Sequence, residues 1–190
     1  MFGPNKSRNA RLTISFHHRE PAFMDVYEDL VKLFRKKFAI GKEYEIIFFT
    51  GSGTLAVESF ISHYKGKFTI AGDITHEKFS KRWKDIAEHY GKYDRKSRNT
   101  LSVQFETSQS IYHPSEATHI FTDAVSAFPY YDNPRSPAWA TVSSKILGGL
   151  PVVGILVIKK SFLGKYIEKD TPSYLNPHRY VDSQKLWQTP

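Results

Sequence analysis

The chain has 190 residues, of which 40% are hydrophobic and 15% are aromatic, and it contains no cysteine. This length allows one domain of ordinary size, and the composition excludes wholesale disorder, disulfides, thiolate metal sites and cysteine nucleophiles. Lysine and arginine total 27 against 19 acidic residues, a formal net charge of +8, and no run approaches the roughly 18 apolar residues that cross a bilayer. We therefore expect a cytoplasmic protein without a membrane span.

Two segments carry the basic surplus. Residues 1–42 hold nine basic and four acidic residues, and residues 65–98 hold ten and five, so each segment has a net charge of +5. If the two segments converge on one face, they attract phosphate groups of a nucleic acid, a nucleotide or a phosphorylated cofactor. An ordinary solvated surface is the alternative interpretation.

Strand and helix patterns alternate along the first half of the chain. Apolar residues from Val26 to Phe38 recur at three- and four-residue steps, which predicts an amphipathic helix that Gly41 ends, with Arg35 to Lys37 toward solvent. A strand is predicted at 44–49, followed by a glycine turn and a helix through about His63. The pattern repeats with a strand at 68–71, a helix at 77–90 and a charged loop at 92–100.

Four further strands are predicted in the second half of the chain, at 101–105, 119–122, 139–143 and 152–158. Alternating strands and helices predict an α/β protein with three layers, a mostly parallel sheet and helices on both faces. No linker divides the chain, so we expect a single domain over residues 1–190. In such sheets ligands bind at the carboxyl ends of the strands.

Three of the predicted strands end next to residues that can bind a ligand or take part in a reaction. Gly51-Ser52-Gly53-Thr54 places small and hydroxyl residues at a helix N-terminus, where free N–H groups favour an anion such as phosphate. Asp123 ends one strand, and Lys145 follows another in Ser143-Ser144-Lys145. Taken singly, these are a tight turn, a helix cap and a surface lysine. Together they match the needs of a pyridoxal phosphate site, namely an anion cradle, an acid for the pyridine nitrogen and an amine for a Schiff base.

The same motifs resemble those of the class V aminotransferases of fold type I, the group with alanine–glyoxylate and 2-aminoethylphosphonate aminotransferases. The resemblance runs in order over nearly the whole chain. Its motifs are Gly3-Pro4, His18-Arg19-Glu20-Pro21-Ala22-Phe23, Gly51 to Glu58, Phe79 to Trp83, Glu106-Thr107-Ser108, Asp123-Ala124-Val125-Ser126, Ser143-Ser144-Lys145 and Gln188-Thr189-Pro190.

The resemblance implies a role for each matched residue. Lys145 should hold pyridoxal phosphate as a Schiff base and move protons, and Asp123 should pair with the protonated ring nitrogen. Val125 and Phe79 should pack on the two faces of the ring, and Thr107 or Ser108 should contact the O3′ side. The phosphate should bind Ser52, Gly53 and Thr54, with Ser144 nearby. Family members are homodimers with shared active sites, so Thr189 should reach a partner's phosphate.

The chain also departs from the family pattern. Family members continue past the segment that matches Gln188-Thr189-Pro190 into a small C-terminal domain, which carries the arginine that grips the substrate carboxylate. The resemblance therefore implies a large domain alone. Ser144 and Ser80 replace the usual glutamine and glycine, and 73–78 resembles a small insertion.

Three functional interpretations follow. In the first, the chain is an aminotransferase for small amines or amino acids, and a separate polypeptide or His18, Arg19 or Arg179 binds the carboxylate. In the second, an open site acts as a decarboxylase or lyase on an amino acid attached to a large substrate, such as a hypermodified DNA base of the bacteriophage type. The basic segments 1–42 and 65–98 then line the cleft. The third is a non-catalytic relic.

Overall fold

The computed structural model describes residues 20–185, in which strands and helices alternate. The helices are α1 (Pro21–Lys37), α2 (Gly53–His63), α3 (Lys78–His89), α4 (Lys160–Tyr166) and α5 (Pro177–Lys185). The strands are β1 (Tyr44–Thr50), β2 (Thr69–Ile70), β3 (Thr100–Val103), β4 (Phe105–Glu106), β5 (Ile111–Tyr112), β6 (His119–Asp123), β7 (Ala138–Val142) and β8 (Val153–Lys159). Across this part of the chain, every helix is too short or too polar to traverse a bilayer.

Six strands form one sheet in the order β1-β8-β7-β6-β3-β2. Neighbours from β2 to β7 pair in parallel, whereas β8 runs antiparallel to both β7 and β1. Strands β1, β3, β6 and β7 therefore point the same way and end at one edge of the sheet. The predicted mostly parallel sheet is confirmed, with β8 as the exception.

Successive residues of each strand point to opposite faces, and two hydrophobic clusters follow from this alternation. Ile47 of β1 and Leu156 of β8 belong to the larger cluster, which packs under α2 and α3 through Phe60 and Trp83. Ile46 and Val157, each one residue away, belong to the second cluster with Phe34 of α1. Helices therefore cover both faces, as predicted.

The predicted helix is present as α1, but its apolar residues do not form one buried face. Met24 and Phe34 are buried, but Val26, Leu30 and Leu33 are exposed, so the apolar residues of this helix occupy two faces. Arg35 does not point freely to solvent, because its guanidinium donates hydrogen bonds to the carbonyl oxygens of Gly41 (2.6 Å) and Tyr44 (2.5 Å). The C-terminus of the helix is thereby fastened to the start of β1.

The strand predicted at 101–105 is divided in two. β3 ends at Val103, and Phe105 pairs with Tyr112 in the small β4–β5 hairpin. The Gln104 N–H still donates to the carbonyl of Asp123 at 2.8 Å, after which the chain leaves the main sheet. A continuous apolar run does not show where a strand leaves its sheet, so the hairpin was missed, as were α4 and α5.

Candidate functional site

A cavity opens at the edge where β1, β3, β6 and β7 end. It lies between the first turns of α2 and α3, which follow β1 and β2. The side chains that line it are Thr54, Phe79, Trp83, Val103, Phe105, Asp123, Val125 and Ser126. Four of these residues, Thr54, Phe79, Asp123 and Val125, are sequence-predicted site residues, and the fold brings them together from three separate segments.

Asp123 is the buried acid of this cavity, with 4% of its surface exposed. The indole N–H of Trp83 donates to Asp123 Oδ2 at 2.8 Å, and the Val125 N–H donates to Oδ1 at 2.9 Å. Burial raises the pKa of Asp123 from 3.8 to about 6, although both hydrogen bonds act to lower it. None of the ion pairs among the described residues includes this carboxylate, so it can accept a cationic partner from the cavity.

The glycine turn after β1 begins α2 directly beside Val125. Ser52 is the N-cap but its hydroxyl makes no capping bond. The Leu55 N–H donates to the Ser52 carbonyl at 3.1 Å, whereas the N–H groups of Gly53 and Thr54 have no carbonyl partner one turn earlier in the helix. A Cβ on Gly53 would lie 2.6 Å from Val125 Cγ2 and 3.3 Å from Val142 Cβ. Glycine at position 53 therefore lets the turn approach both Val142 at the end of β7 and Val125, two residues after Asp123. This arrangement suits an anion at the α2 N-terminus.

Phe79 lies in the first turn of α3 and one carboxylate fixes its backbone. Glu106, which is fully buried, accepts hydrogen bonds from the N–H groups of Phe79 (2.9 Å) and Ser80 (3.3 Å). A carboxylate at a helix N-terminus is favourable because it meets unpaired N–H groups and the positive end of the helix dipole. The guanidinium of Arg82 lies 5.0 Å from the centroid of the Phe79 ring.

Lys145 begins a short 3₁₀ turn, Lys145–Leu147, in the connection between β7 and β8. Its φ of +46° is a left-handed backbone conformation that non-glycine residues seldom adopt, and such strain concentrates at functional sites. Its side chain is exposed and is not among those lining the cavity. Ser143 braces this loop, since its hydroxyl bonds the carbonyl of Leu150 and accepts from the N–H of Val153.

The remaining predicted site residues either lie outside the cavity lining or fall outside the described part of the chain. Ser108 bonds Glu106 Oε1 through its hydroxyl (2.6 Å) and its N–H (3.1 Å), and Thr107 is exposed. Ser144 is half-buried at the N-cap of the Lys145 turn. None of these three lines the cavity. The predictions for His18, Arg19 and Thr189 lie outside the residues that the structure describes.

Sequence reasoning missed Trp83, Phe105 and Glu106 as residues of the site. Trp83 follows Phe79 by four positions, and residues at that spacing share a helix face, so this signal was available. Glu106 belonged to a matched motif, but its role depends on which helix N-terminus it meets. That contact joins residues 27 positions apart and is not visible in local sequence.

The expectation that the basic segment 65–98 lines the cleft is wrong for its most basic loop. Residues 92–98 precede β3 and lie at the amino ends of the strands, on the edge opposite the cavity. Asp94 accepts a hydrogen bond from the Lys96 N–H at 2.9 Å, and Ser97 donates to the carbonyl of Lys67 at 2.9 Å. These are the contacts of an ordinary surface turn.

No protein-family model matches the chain. A curated relative does: the phosphoserine aminotransferase of Lysinibacillus sphaericus (strain C3-41) is 25% identical over 202 aligned positions, which cover 91% of this chain. The alignment covers 55% of that protein, so the chain spans about half the length of the curated relative it matches.

Solved structures resemble the chain closely in fold. The Thermus thermophilus aspartate aminotransferase of subgroup IV superposes over 97% of this chain and 62% of its own, with a TM-score of 0.79 and 22% identity. Alanine–glyoxylate aminotransferase from Nostoc sp. covers 96% and 57%, with a TM-score of 0.77 and 18% identity. The chain has the fold of the class V-like aminotransferases. The pyridoxal phosphate-bound phosphoserine aminotransferase from Trichomonas vaginalis shares this fold, over 93% of this chain and 56% of its own (TM-score 0.76, 15% identity). The predicted three-layer α/β large-domain fold is confirmed.

Proposed function

We propose that the chain is a single large domain, residues 1–190, that binds pyridoxal phosphate and acts on the amino group of an amine or amino acid, as an aminotransferase does. The observation that carries the proposal is Asp123, a buried carboxylate that lines the cavity without a cationic partner among the described residues. A protonated pyridine nitrogen supplies that missing charge. The fold, the curated relative and the solved structures support the same conclusion.

The residues around Asp123 fit the remaining parts of the cofactor. Ser52, Gly53 and Thr54 present N–H and hydroxyl groups at the start of α2, where a phosphate is favoured. Val125 and Phe79 offer apolar surfaces for the ring. The cofactor, when bound, supplies an electron sink for a carbanion next to the reacting nitrogen. Its attachment through the Lys145 amine is part of the proposal, as are the contacts of Thr107, Ser108 and Ser144.

Borohydride reduction tests the attachment. The protein is incubated with pyridoxal phosphate, reduced and digested, and the modified peptide is sequenced by mass spectrometry. We expect the cofactor on Lys145, and no stoichiometric label in Lys145→Ala. Lys160→Ala is the matched control, because Lys160 is an exposed lysine that lies 3.9 Å from Glu45 and has no place in the site. A label on another lysine in the wild-type protein would overturn the assignment.

We propose further that the chain forms a homodimer with shared active sites. Val26, Leu30 and Leu33 are 56%, 43% and 63% exposed and follow one another at helical spacing on α1. An exposed apolar stripe of this kind is typical of an interface. Light scattering should give twice the chain mass, and Leu33→Arg should reduce it. A wild-type monomer with full activity would exclude this assembly.

No described contact favours the reading in which a hypermodified DNA base is the substrate, since the basic loop 92–98 lies away from the cavity. A small amine or amino acid is therefore the proposed substrate class, and a cytoplasmic location stays a prediction. Turnover of free amino acids with a 2-oxo acid, unaffected by added DNA, is the expected result. Salt-sensitive retention of the protein on DNA, without turnover of free amino acids, would instead favour the interpretation in which the substrate is an amino acid attached to a DNA base.

A further inference from the structure

We propose that Trp83 is a positioning residue for Asp123, whose carboxylate it holds in one orientation toward the ring nitrogen of the cofactor. The inference rests on the proposed function and assigns a role to Trp83, which ends the matched motif Phe79 to Trp83 but received no role from it. It is carried by the geometry of two buried side chains from different elements, α3 and β6.

Both oxygens of Asp123 accept a hydrogen bond from a fixed donor. Trp83 Nε1 lies 2.8 Å from Oδ2 and the Val125 nitrogen lies 2.9 Å from Oδ1. The Val125 N–H lies only two residues along the chain from Asp123. Its hydrogen bond alone would leave the carboxylate free to rotate about the Cβ–Cγ bond of Asp123. The Trp83 bond comes from a different helix and removes that freedom. Each carboxylate oxygen has two lone pairs, so one lone pair on each oxygen remains free to accept a hydrogen bond from a ligand in the cavity.

The position of Trp83 is itself well determined. Its side chain is 1% exposed and packs in the larger core cluster, one turn of α3 beyond Phe79. Glu106 anchors the first turn of that helix through the Phe79 and Ser80 N–H groups. The helix that presents a ring surface to the cavity therefore also presents the donor for Asp123. A shift of α3 would change both contacts together.

The indole N–H also favours the ionised form of Asp123. Burial acts in the opposite direction, and of the charged groups nearby Glu106 raises the pKa of Asp123 whereas Arg82 lowers it. A neutral carboxyl group binds a pyridinium less well than a carboxylate does. Loss of the indole donor should therefore raise the pKa of Asp123 further and weaken cofactor binding at neutral pH.

The experiment compares Trp83→Phe with Trp139→Phe. Trp139 is also buried, at 2% exposed, but lies in the second core cluster against Phe128, 4.9 Å between ring centroids. The ¹³C carboxyl resonance of Asp123, assigned by its absence in Asp123→Asn, is titrated in cofactor-free protein. A hydrogen bond to a charged group typically corresponds to about one pH unit or more. We expect that upward shift in Trp83→Phe and no shift in Trp139→Phe.

Equilibrium dialysis with pyridoxal phosphate gives the second measurement. The dissociation constant should rise about tenfold in Trp83→Phe and stay near the wild-type value in Trp139→Phe. If Trp83→Phe does not fold, benzothienylalanine at position 83 removes the N–H and keeps the ring size. An unchanged Asp123 titration would overturn the positioning role. A shifted titration in a protein that binds no pyridoxal phosphate at all would instead overturn the proposed function and leave the Trp83 contact established.

Discussion

The two edges of the six-stranded sheet hold charge in different ways. At the carboxyl edge, Asp123 is buried next to a cavity, with two N–H donors and no cationic partner among residues 20–185. At the amino edge, loop 92–98 carries several bases, of which Lys92 is paired with Glu168 at 3.1 Å. Asp123 is a buried carboxylate without a cationic partner among the described residues, whereas the exposed charges of the loop are solvated by water and screened by salt.

This difference bears on which charges we propose to take part in function. A net charge of +5 in residues 65–98 suggested a binding surface, yet the fold places its basic loop away from the cavity. Asp123 contributes one negative charge to the chain, and we propose that this charge pairs with the ring nitrogen of the cofactor. The comparison predicts large effects for changes at the carboxyl edge and small effects at the amino edge.

Asp123→Asn should have the largest effect. Both carboxylate oxygens accept hydrogen bonds, so an amide keeps only one of them and carries no charge for a pyridinium. We expect turnover to fall about 100-fold or more, as when other preorganised electrostatic groups are removed. Steady-state kinetics with a saturating amino donor measures this loss, and near-normal turnover would reduce Asp123 to a strand-end cap.

The burial of Asp123 also predicts how the free energy of unfolding of the cofactor-free protein depends on pH. The pKa of Asp123 rises from 3.8 unfolded to about 6 folded, so the folded state binds the proton more tightly. Its stabilising contribution is complete below pH 3.8 and is lost as pH rises through 6, by about 3 kcal/mol in total. Urea unfolding from pH 4 to pH 8 should show this decline in wild type relative to Asp123→Asn. Parallel pH profiles would contradict the assigned burial.

Glu106→Gln should come next, with a loss of about 3 kcal/mol in the free energy of unfolding. The two carboxylate oxygens accept from Phe79 and Ser80 on one side and from Ser108 on the other, and an amide can accept on only one. Glu88→Gln is the control, because Glu88 lies at the exposed end of the same helix, where its carboxylate accepts from Lys84 at 2.6 Å. Urea denaturation compares the two variants, and equal effects would exclude a special role for Glu106.

Gly53→Ala should cost about 2 kcal/mol of stability, because the new Cβ would press on Val125 in a packed region. Gly164→Ala in α4 is the matched control, since a Cβ there meets nothing within 4 Å and alanine favours helix. In thermal unfolding, Gly53→Ala should therefore lower the unfolding temperature, whereas Gly164→Ala should raise it. The double variant Gly53→Ala/Val125→Ala should recover part of the loss, and no recovery would show that the strain lies elsewhere.

The smallest effect is expected at the amino edge. Arg95→Glu combined with Lys96→Glu reverses two charges in the surface loop, where substitutions typically change stability by less than about 0.5 kcal/mol. Turnover of free amino acids and pyridoxal phosphate affinity should both stay at wild-type values. A loss of either that depends on salt would show that this edge takes part in function and would undo the contrast between the two edges.

Much of the fold was predictable because its signals are local. Strand β1 and the Gly53 turn follow from β-branched and aromatic runs and from glycine, and Asp123 and Lys145 were found as strand ends. The reversal of β8 was not predictable, since antiparallel and parallel buried strands have the same apolar composition. The Trp83 and Glu106 contacts were also hidden, because they join residues 40 and 27 positions apart.

The protonation state of the cofactor ring tests the central claim most directly. Pyridoxal phosphate labelled with ¹⁵N in the ring is bound to the wild-type protein and to Asp123→Asn, and the ¹⁵N chemical shift is followed from pH 6 to pH 9. If the buried Asp123 carboxylate accepts the ring N–H, the wild-type signal should stay that of a pyridinium across this range and the variant signal that of a neutral pyridine. A neutral ring in the wild-type protein, or the same shift in both proteins, would contradict the account.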